Sequence, residues 1–152
     1  ECISGVRLIL VMTEAGPQPL FATWKIITGN NMTDNDEHGR SANLNAALDL
    51  RTGCVLRAVV GSGLGTREVE RHPDTGVVLP GFELPNWQEA MALCCRGARV
   101  FPMLRWQHWD IAFGAGGPLL LELNVTGGFG PDQNAARRGF FDERLRQALD
   151  SD

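Results

Sequence analysis

The chain has 152 residues, enough for one domain with a hydrophobic core, and its 43% hydrophobic and 21% charged residues are ordinary for a soluble globular protein. Its net charge of −4 argues against a nucleic-acid-binding platform, which usually presents a basic face. No apolar run approaches the roughly 20 residues that span a bilayer, and no signal peptide is visible. We therefore expect neither nucleic acid nor a membrane as a partner.

The first half of the chain predicts two β-hairpins. Each expected strand is rich in aliphatic residues and is bounded by turn-forming residues. EAGPQP is expected to form the first turn, residues 51–53 the second, and the polar run 29–43 a loop between the hairpins. The predicted strands span residues 6–13, 20–28, 46–50 and 55–60.

A helix is predicted over residues 86–99, after a long loop over residues 61–85. Asn86 is placed to cap this helix, and Glu89 stands at the capping-box position three residues later. Four residues recur at helical spacing and are expected to face the core: Trp87, Ala90, Met91 and Cys94.

The last part of the chain predicts a third hairpin and a terminal helix. Its strands are expected over residues 104–113 and 119–125, joined by the turn GAGGP. The order of strands, helix, strands and helix predicts a single α+β domain with an antiparallel sheet and flanking helices. The terminal helix is expected over residues 134–149, with an apolar side formed by Phe140, Phe141, Leu145 and Leu149.

The loop length of the third hairpin decides which of its residues face each other. If the loop spans residues 114–118, Phe113 pairs with Leu119 and Asp110 pairs with Glu122. Because side chains alternate along a strand, the leucines of the second strand then point away from the acidic pair. These leucines are Leu119, Leu121 and Leu123.

In that register Asp110, Glu122 and Asn124 converge on one side of the sheet. Two nearby carboxylates repel each other, and a divalent cation removes this penalty. Hard oxygen ligands suit Mg²⁺, which takes one or two carboxylates and completes its shell with water and phosphate oxygens. The hairpin therefore predicts a metal–nucleotide site, and a solvated sheet face that carries the same acids is the alternative.

The same residues resemble the metal ligands in the C-terminal lobe of an ATP-grasp fold. That family carries an acidic residue on one strand and Glu-x-Asn on the next, and here these are Asp110 in WDIAF and Glu122 and Asn124 in LELN. The chain most resembles the sugar-transfer-associated, α-L-glutamate ligase-like branch. The resemblance spans most of the chain and is carried by GVRLILVM, FATWKI, ANLNAALDLRTG, HPDTG and FELPNWQEA.

The resemblance implies an ATP-dependent ligase. In such an enzyme a small-molecule carboxylate is phosphorylated by ATP, and an amine or thiol attacks the acyl phosphate. The implied ligands of Mg²⁺, or of Mn²⁺, are Asp110, Glu122 and Asn124, with Glu122 also at the nucleotide. The association of this branch with sugar transfer implies polysaccharide metabolism.

Two cations and one amide are implied at the same site. Lys25 in FATWKI, the single lysine of the chain, falls where the family places a basic residue toward the ATP phosphates. Arg7 in GVRLILVM and Lys25 are the implied catalytic residues, because they would offset charge on the transferred phosphoryl group or the substrate carboxylate. Asn43 is implied to orient the metal shell or a phosphate oxygen.

Two departures from the family pattern leave other functions open. Leu44, Asn45 and Ala46 stand where the family has a glycine pair after Asn43. The lobe that supplies a phosphate-binding lysine and most of the adenine pocket does not precede Glu1, so we expect an N-terminal lobe in cis in a longer protein. The competing hypotheses are a truncated or degenerate binding module without chemistry and a plain metal-binding structural domain.

Three further features carry weaker signals. The four cysteines (Cys2, Cys54, Cys94 and Cys95) show no metal-ligand spacing, so we expect free thiols in a reducing cytoplasm. His72 in HPDTG is a candidate general base, although His-Pro in a loop more often serves a turn. TGGFG, directly after the metal ligands, could let backbone N–H groups approach an anion, and the acidic loop 34–38 is expected to be solvated.

Overall fold

The computed structural model describes residues 4–33 and 41–150, without the side chains of residues 144, 148 and 149. In this part of the chain the strands are β1 (Val6–Thr13), β2 (Gly16–Ile26), β3 (Leu44–Leu48), β4 (Val55–Val60), β5 (Arg67–Glu68), β6 (Trp106–Gly114) and β7 (Gly117–Asn124). The helices are α1 (Trp87–Ala98), α2 (Gly130–Ala136) and α3 (Glu143–Asp150). All strands join one antiparallel sheet in the order β5-β4-β3-β2-β1-β6-β7, which confirms the predicted α+β class.

The sheet separates two layers of side chains, because residues alternate along each strand. Leu8 and Leu10 of β1 point to the face covered by α1 and join the larger core cluster there. Ile9 and Val11 point to the opposite face, where they pack in a smaller cluster with Leu145 of α3. Helix α2 also lies on this second face, against β2, β3 and β4.

The first two hairpins are confirmed with shifted ends. β2 begins at Gly16, so its turn has two residues, and Pro17 and Pro19 lie in the strand rather than in the predicted turn. Proline cannot donate a ladder hydrogen bond, and it is tolerated here because β3 pairs with β2 only from Thr23 onward. The second hairpin is β3 and β4, and β5 lies in the stretch predicted to be a loop.

Helix α1 is confirmed, but its predicted cap is wrong. Asn86 adopts a left-handed conformation with a φ of 54°, and its side chain makes no capping hydrogen bond. A capping side chain needs an extended backbone, so the predicted capping box with Glu89 does not form. The expected core side is confirmed, with Trp87, Ala90 and Cys94 buried and Met91 packed against the core.

The predicted terminal helix is wrong as a single element, because the chain turns between α2 and α3. Arg137 ends α2 in a left-handed conformation with a φ of 52°, and the Asp142 carboxylate caps α3. The turn lets Phe140 stack on Phe129 with their ring centroids 4.2 Å apart. Phe141, expected on the apolar side of one helix, is instead 60% exposed.

Some sequence predictions lie outside the described residues, namely those on Cys2, on the acidic loop 34–38 and on the side chain of Leu149. Cys54, Cys94 and Cys95 are free thiols, and burial raises the pKa of Cys94 far above its usual value. Within the described residues, no helix has the length and apolar character needed to cross a membrane.

Gly53 in the β3–β4 connection should be intolerant of any side chain. Its φ is +75°, and an added Cβ would lie 2.4 Å from Cγ of Trp87. We expect Gly53→Ala to lower the free energy of unfolding by about 3 kcal/mol, since a left-handed alanine costs ~1–2 kcal/mol and overpacking adds a similar amount. Denaturant unfolding measures this loss.

Gly76→Ala is the matched control for the Gly53 substitution. Gly76 has a φ of +72°, and a Cβ added there would have open space within 4 Å. We expect this control to lose only about 1 kcal/mol, the cost of the backbone conformation alone. Equal losses in the two variants would contradict the close contact between Gly53 and Trp87.

Candidate functional site

Three neighbouring strands place charged side chains together on the sheet face that α2 partly covers. Arg7 of β1 lies between Thr23 of β2 and Asp110 of β6 in the register of the sheet. Lys25 follows Thr23 by two residues and points to the same face, because side chains alternate. The sheet thus brings two cations from separate sequence motifs to one carboxylate.

Asp110 is bound by both cations. The Arg7 guanidinium donates two hydrogen bonds to it, 2.9 Å from Nε to Oδ1 and 2.7 Å from Nη2 to Oδ2. The Lys25 ammonium lies 3.4 Å from Oδ2, and 8% of the Asp110 side chain is exposed. Burial raises the pKa of Asp110, but the hydrogen bond from Arg7 and the charge of Lys25 outweigh it and hold this pKa below its usual range.

The β6–β7 hairpin pairs Asp110 with Glu122 as predicted, but its turn is shorter than predicted and β7 contains a β-bulge. Its turn has two residues, so Phe113 does not pair with Leu119 as predicted. A straight ladder from this turn would place Leu121 opposite Asp110. Leu121 is instead the extra residue of a β-bulge, and the bulge moves Glu122 into register with Asp110.

The bulge also makes the predicted alternation of the leucines wrong. Leu120 and Leu123 pack against the core on the α1 side, whereas Leu119 and Leu121 are 59% and 55% exposed. The inward positions are three residues apart across the bulge rather than two, because the extra residue resets the alternation.

Glu122 and Asn124 complete the set of oxygen-bearing side chains on this face. Asn124 pairs with His108 across the hairpin, so the three predicted metal ligands share one side. The Asn124 amide donates a 2.8 Å hydrogen bond to Oε1 of the exposed Glu122. The described residues contain no group of three or more His, Cys, Asp or Glu side chains placed to hold a metal. The mixed set of two carboxylates and one amide oxygen nevertheless fits a hard cation such as Mg²⁺.

A second buried carboxylate, Asp132 in the first turn of α2, was not predicted from the sequence. Asp132 is 2% exposed, and its Oδ1 has no hydrogen-bond partner among the described residues. Burial raises the pKa of Asp132 to about 6, against the opposing effects of the Thr23 hydroxyl and of the Arg7 and Lys25 cations. Acidic residues are common in the first turn of a helix, where they interact favourably with the helix dipole. The sequence therefore gave no indication that Asp132 is buried near Arg7 and Lys25.

The TGGFG segment closes over His108. A Cβ at Gly127 would lie 2.5 Å from Nδ1 of His108, so glycine is what permits this contact. The His108 ring also packs edge-on against Phe129, with the ring centroids 4.9 Å apart. Burial, reinforced by the charge of Arg7, lowers the pKa of His108 to about 4. Gly127 therefore packs closely against a neutral histidine, and the approach of the backbone N–H groups of this segment to an anion stays a prediction.

The chain that carries this site matches the model of a known family over nearly its whole length. The sugar-transfer associated ATP-grasp family matches residues 1–148 of the chain. The chain belongs to this family. The antiparallel sheet with flanking helices fits an ATP-grasp domain, and such domains are of the ATP-dependent ligase type. No curated protein and no solved structure matches the chain significantly.

In this ATP-grasp domain Asn43 organises the loop that follows β2. Its amide oxygen accepts the Thr28 N–H at 3.1 Å and the Asn31 amide at 2.8 Å, and its amide nitrogen donates to the Thr33 carbonyl at 2.7 Å. These bonds hold residues 28–33, just beyond the end of the strand that carries Lys25. The role of Asn43 at the cofactor stays a prediction, and these contacts favour an action through the loop.

His72 of HPDTG fastens the same loop. Its Nδ1 accepts the Asp74 N–H, so its Nε2 carries the proton and donates to the Ile27 carbonyl at 3.2 Å. Asp74 in turn accepts the Gly29 N–H at 2.6 Å. Both ring nitrogens of His72 are thus used in the turn, which favours the structural interpretation of this motif over a general base.

The buried Asp132 should make the stability of the ATP-grasp domain depend on pH. Its folded-state pKa of about 6 lies above the ordinary 3.8, so the folded chain binds more protons between these values and loses stability as the pH rises through them. Asp132→Asn removes this penalty. We expect its stability advantage over the wild type to shrink by about 2 kcal/mol between pH ~7.5 and pH ~4.5, measured by denaturant unfolding with a chelator present.

Asp49→Asn is a control with the opposite sign. The hydrogen bond from the Thr52 N–H holds the pKa of Asp49 below its usual range, so its stabilising effect is present at neutral pH and is lost as the pH falls below about 4. The Asp49 variant should therefore approach the wild type on acidification. An advantage of Asp132→Asn that stays constant with pH would contradict a buried, ionised carboxylate.

Proposed function

We propose that this domain is the metal-binding lobe of an ATP-dependent ligase that joins a carboxylate to an amine or a thiol through an acyl phosphate. The observation that supports this most is the shared sheet face of Asp110, Glu122 and Asn124 with Arg7 and Lys25. Phosphoryl transfer relies on positioning and charge neutralisation, and oxygen ligands beside cations supply both.

In this proposal Asp110, Glu122 and Asn124 hold Mg²⁺ or Mn²⁺. The bound metal would neutralise and orient phosphate oxygens of the nucleotide. Asp110 is anchored in the sheet, whereas Glu122 is exposed and is the acid that nucleotide and metal can reach from solvent. The hydrogen bond from Asn124 orients the Glu122 carboxylate.

Arg7 and Lys25 are the proposed catalytic cations. Their side chains are 23% and 13% exposed, so both are partly desolvated and yet reachable. Cations that are already oriented stabilise developing charge without reorganising during the reaction. Lys25 would contact the nucleotide phosphates, and Arg7 would contact the substrate carboxylate or the transferred phosphoryl group. Asn43 would contribute by holding the loop next to Lys25.

The finer aspects of this function follow from the family. Its link with sugar transfer supports a carboxylate and a nucleophile from polysaccharide metabolism, handled in the cytoplasm where ATP is abundant. We also propose that an N-terminal lobe in cis supplies most of the adenine pocket. The two lobes would then enclose the nucleotide over the sheet face that carries Asp110.

The ion pair of Arg7 with Asp110 favours one alternative, a binding module without chemistry. Both Asp110 oxygens accept hydrogen bonds from Arg7, so a metal has to compete with this guanidinium. A domain that has lost metal binding would keep such a pair permanently. Metal-dependent ATP turnover therefore separates the two functions.

Glu122→Gln should lower Mg²⁺-dependent ATP turnover of the full-length protein at least about 100-fold, since loss of a charged metal ligand removes several kcal/mol of transition-state stabilisation. Asp110→Asn and Asn124→Ala should lower it as well. Phosphate release with Mg²⁺ or with Mn²⁺ measures the effect.

Glu70→Gln, at an exposed acid outside the site, makes the same change of charge and should leave turnover unaltered. Full turnover in Glu122→Gln would contradict the proposed ligase site. A wild-type protein that binds its ligand without metal-dependent turnover would instead support the binding module.

A further inference from the structure

Arg7 has a carboxylate on each side. Asp110 is its neighbour on β6 and accepts two hydrogen bonds from it. Its neighbour on β2 is Thr23, and the Thr23 hydroxyl lies close enough to the Asp132 carboxyl to lower its pKa. The charge of Arg7 also lowers the pKa of Asp132, so the guanidinium acts on both carboxylates, and in this structure it is hydrogen-bonded to Asp110.

Two buried oxygen atoms near Asp132 make no hydrogen bond to the described residues. Oδ1 of Asp132 and Oγ1 of Thr23 are buried, and neither has a hydrogen-bond partner among the described residues. The Thr23 hydroxyl is near enough to lower the pKa of Asp132, but a neutral hydroxyl cannot compensate the buried negative charge. A cationic donor that reaches this carboxylate is therefore favoured. A guanidinium carries five N–H donors in a planar fork and suits such a carboxylate.

The summed charge of five described groups on this face changes sign when a divalent cation binds. Arg7 and Lys25 contribute two positive charges, and three carboxylates contribute three negative charges, so these five groups carry −1. A divalent cation makes the sum +1. At Asp110 the cation and the guanidinium would repel each other over a few ångströms, which destabilises the pair seen here.

We infer that Asp132 is a second counter-ion for Arg7, and that Arg7 moves from Asp110 to Asp132 when a divalent cation binds Asp110. The inference rests on the proposed function, because it needs the metal at Asp110. The movement frees Oδ1 of Asp110 and leaves Oδ2 with the longer contact from Lys25, while Arg7 exchanges one charge-assisted pair for another. Asp132 is thus a positioning residue that acts on the metal site through Arg7.

A double-mutant cycle on Mn²⁺ affinity tests the exchange. The full-length protein, Asp132→Asn, Arg7→Met and the double variant are titrated with Mn²⁺ alone, and free Mn²⁺ is measured by electron paramagnetic resonance. We expect Asp132→Asn to weaken binding about 10- to 100-fold, the range typical of outer-shell partners of a metal. Arg7→Met should tighten binding, because the competing cation is gone.

The double variant decides between exchange and simple electrostatics. With Arg7 absent, Asp132→Asn should change the affinity less than about twofold, since coupled residues are not additive. An equal weakening in both backgrounds would mean that Asp132 acts on the metal by its charge alone, and it would overturn the inference. Asp132→Asn is expected to fold, since it removes a buried charge.

Asp110→Asn separates failure of this inference from failure of the proposed function. If this variant binds Mn²⁺ as the wild type does, the metal is not at Asp110 and the proposed function fails with the inference. If it loses Mn²⁺ binding while the cycle is additive, the exchange alone is wrong.

A nuclear magnetic resonance measurement tests the exchange without Arg7→Met, should that variant be unfolded. The Arg7 Nε–H signal, assigned with Arg7→Lys, is followed during titration with Mg²⁺. In the wild type the Arg7 Nε–H resonance should shift, and this proton should stay protected from exchange with water, because the guanidinium pairs with Asp132. In Asp132→Asn it should lose that protection. A wild-type signal that Mg²⁺ leaves unchanged would overturn the inference.

Discussion

The ion pair of Arg7 with Asp110, between β1 and β6, is the interaction on which the rest of the site depends. It forms within the sheet face, where the two side chains are 23% and 8% exposed. Removing one partner of a buried pair typically costs about 3–5 kcal/mol. At Asp110 the Lys25 ammonium, 3.4 Å from Oδ2, offsets part of this cost when Arg7 is removed. The same strand register sets Thr23 beside Arg7 and Glu122 beside Asp110. The Arg7–Asp110 pair thus stabilises the contact between β1 and β6, and the same register positions the charged residues around it.

The elements that the sequence predicts well are those with local signals. The aliphatic runs of β1 and β4 and the helical spacing of α1 mark their own positions, because their patterns match the strand and helix periods. The pairing of Asp110 with Glu122 is predicted correctly, but for the wrong reason. The predicted turn is longer than the observed two-residue turn, and the bulge at Leu121, which was not predicted, shifts β7 by one residue and restores the predicted pairing. A run of three leucines has no alternation, so nothing in it marks which residue is the extra one.

The parts that escape prediction depend on contacts distant in sequence. Asp132 becomes a buried carboxylate because α2 packs on β2 and β3, which no local pattern of GPDQN indicates. The break between α2 and α3 accompanies the stacking of Phe140 on Phe129, a tertiary contact that the helical spacing of residues 134–149 does not indicate. Asn86 fails as a cap for a similar reason, since the chain enters α1 through a left-handed turn.

Strand β7 lies at the edge of the described sheet, so one row of its backbone N–H and C=O groups has no neighbouring strand there. Such an edge is a template for pairing with other chains, all the more where leucines are exposed, as Leu119 and Leu121 are. A bulge interrupts the regular spacing of this row and twists it, so a foreign strand cannot align along its whole length. The extra residue that sets Glu122 opposite Asp110 therefore also protects the domain against edge-to-edge aggregation.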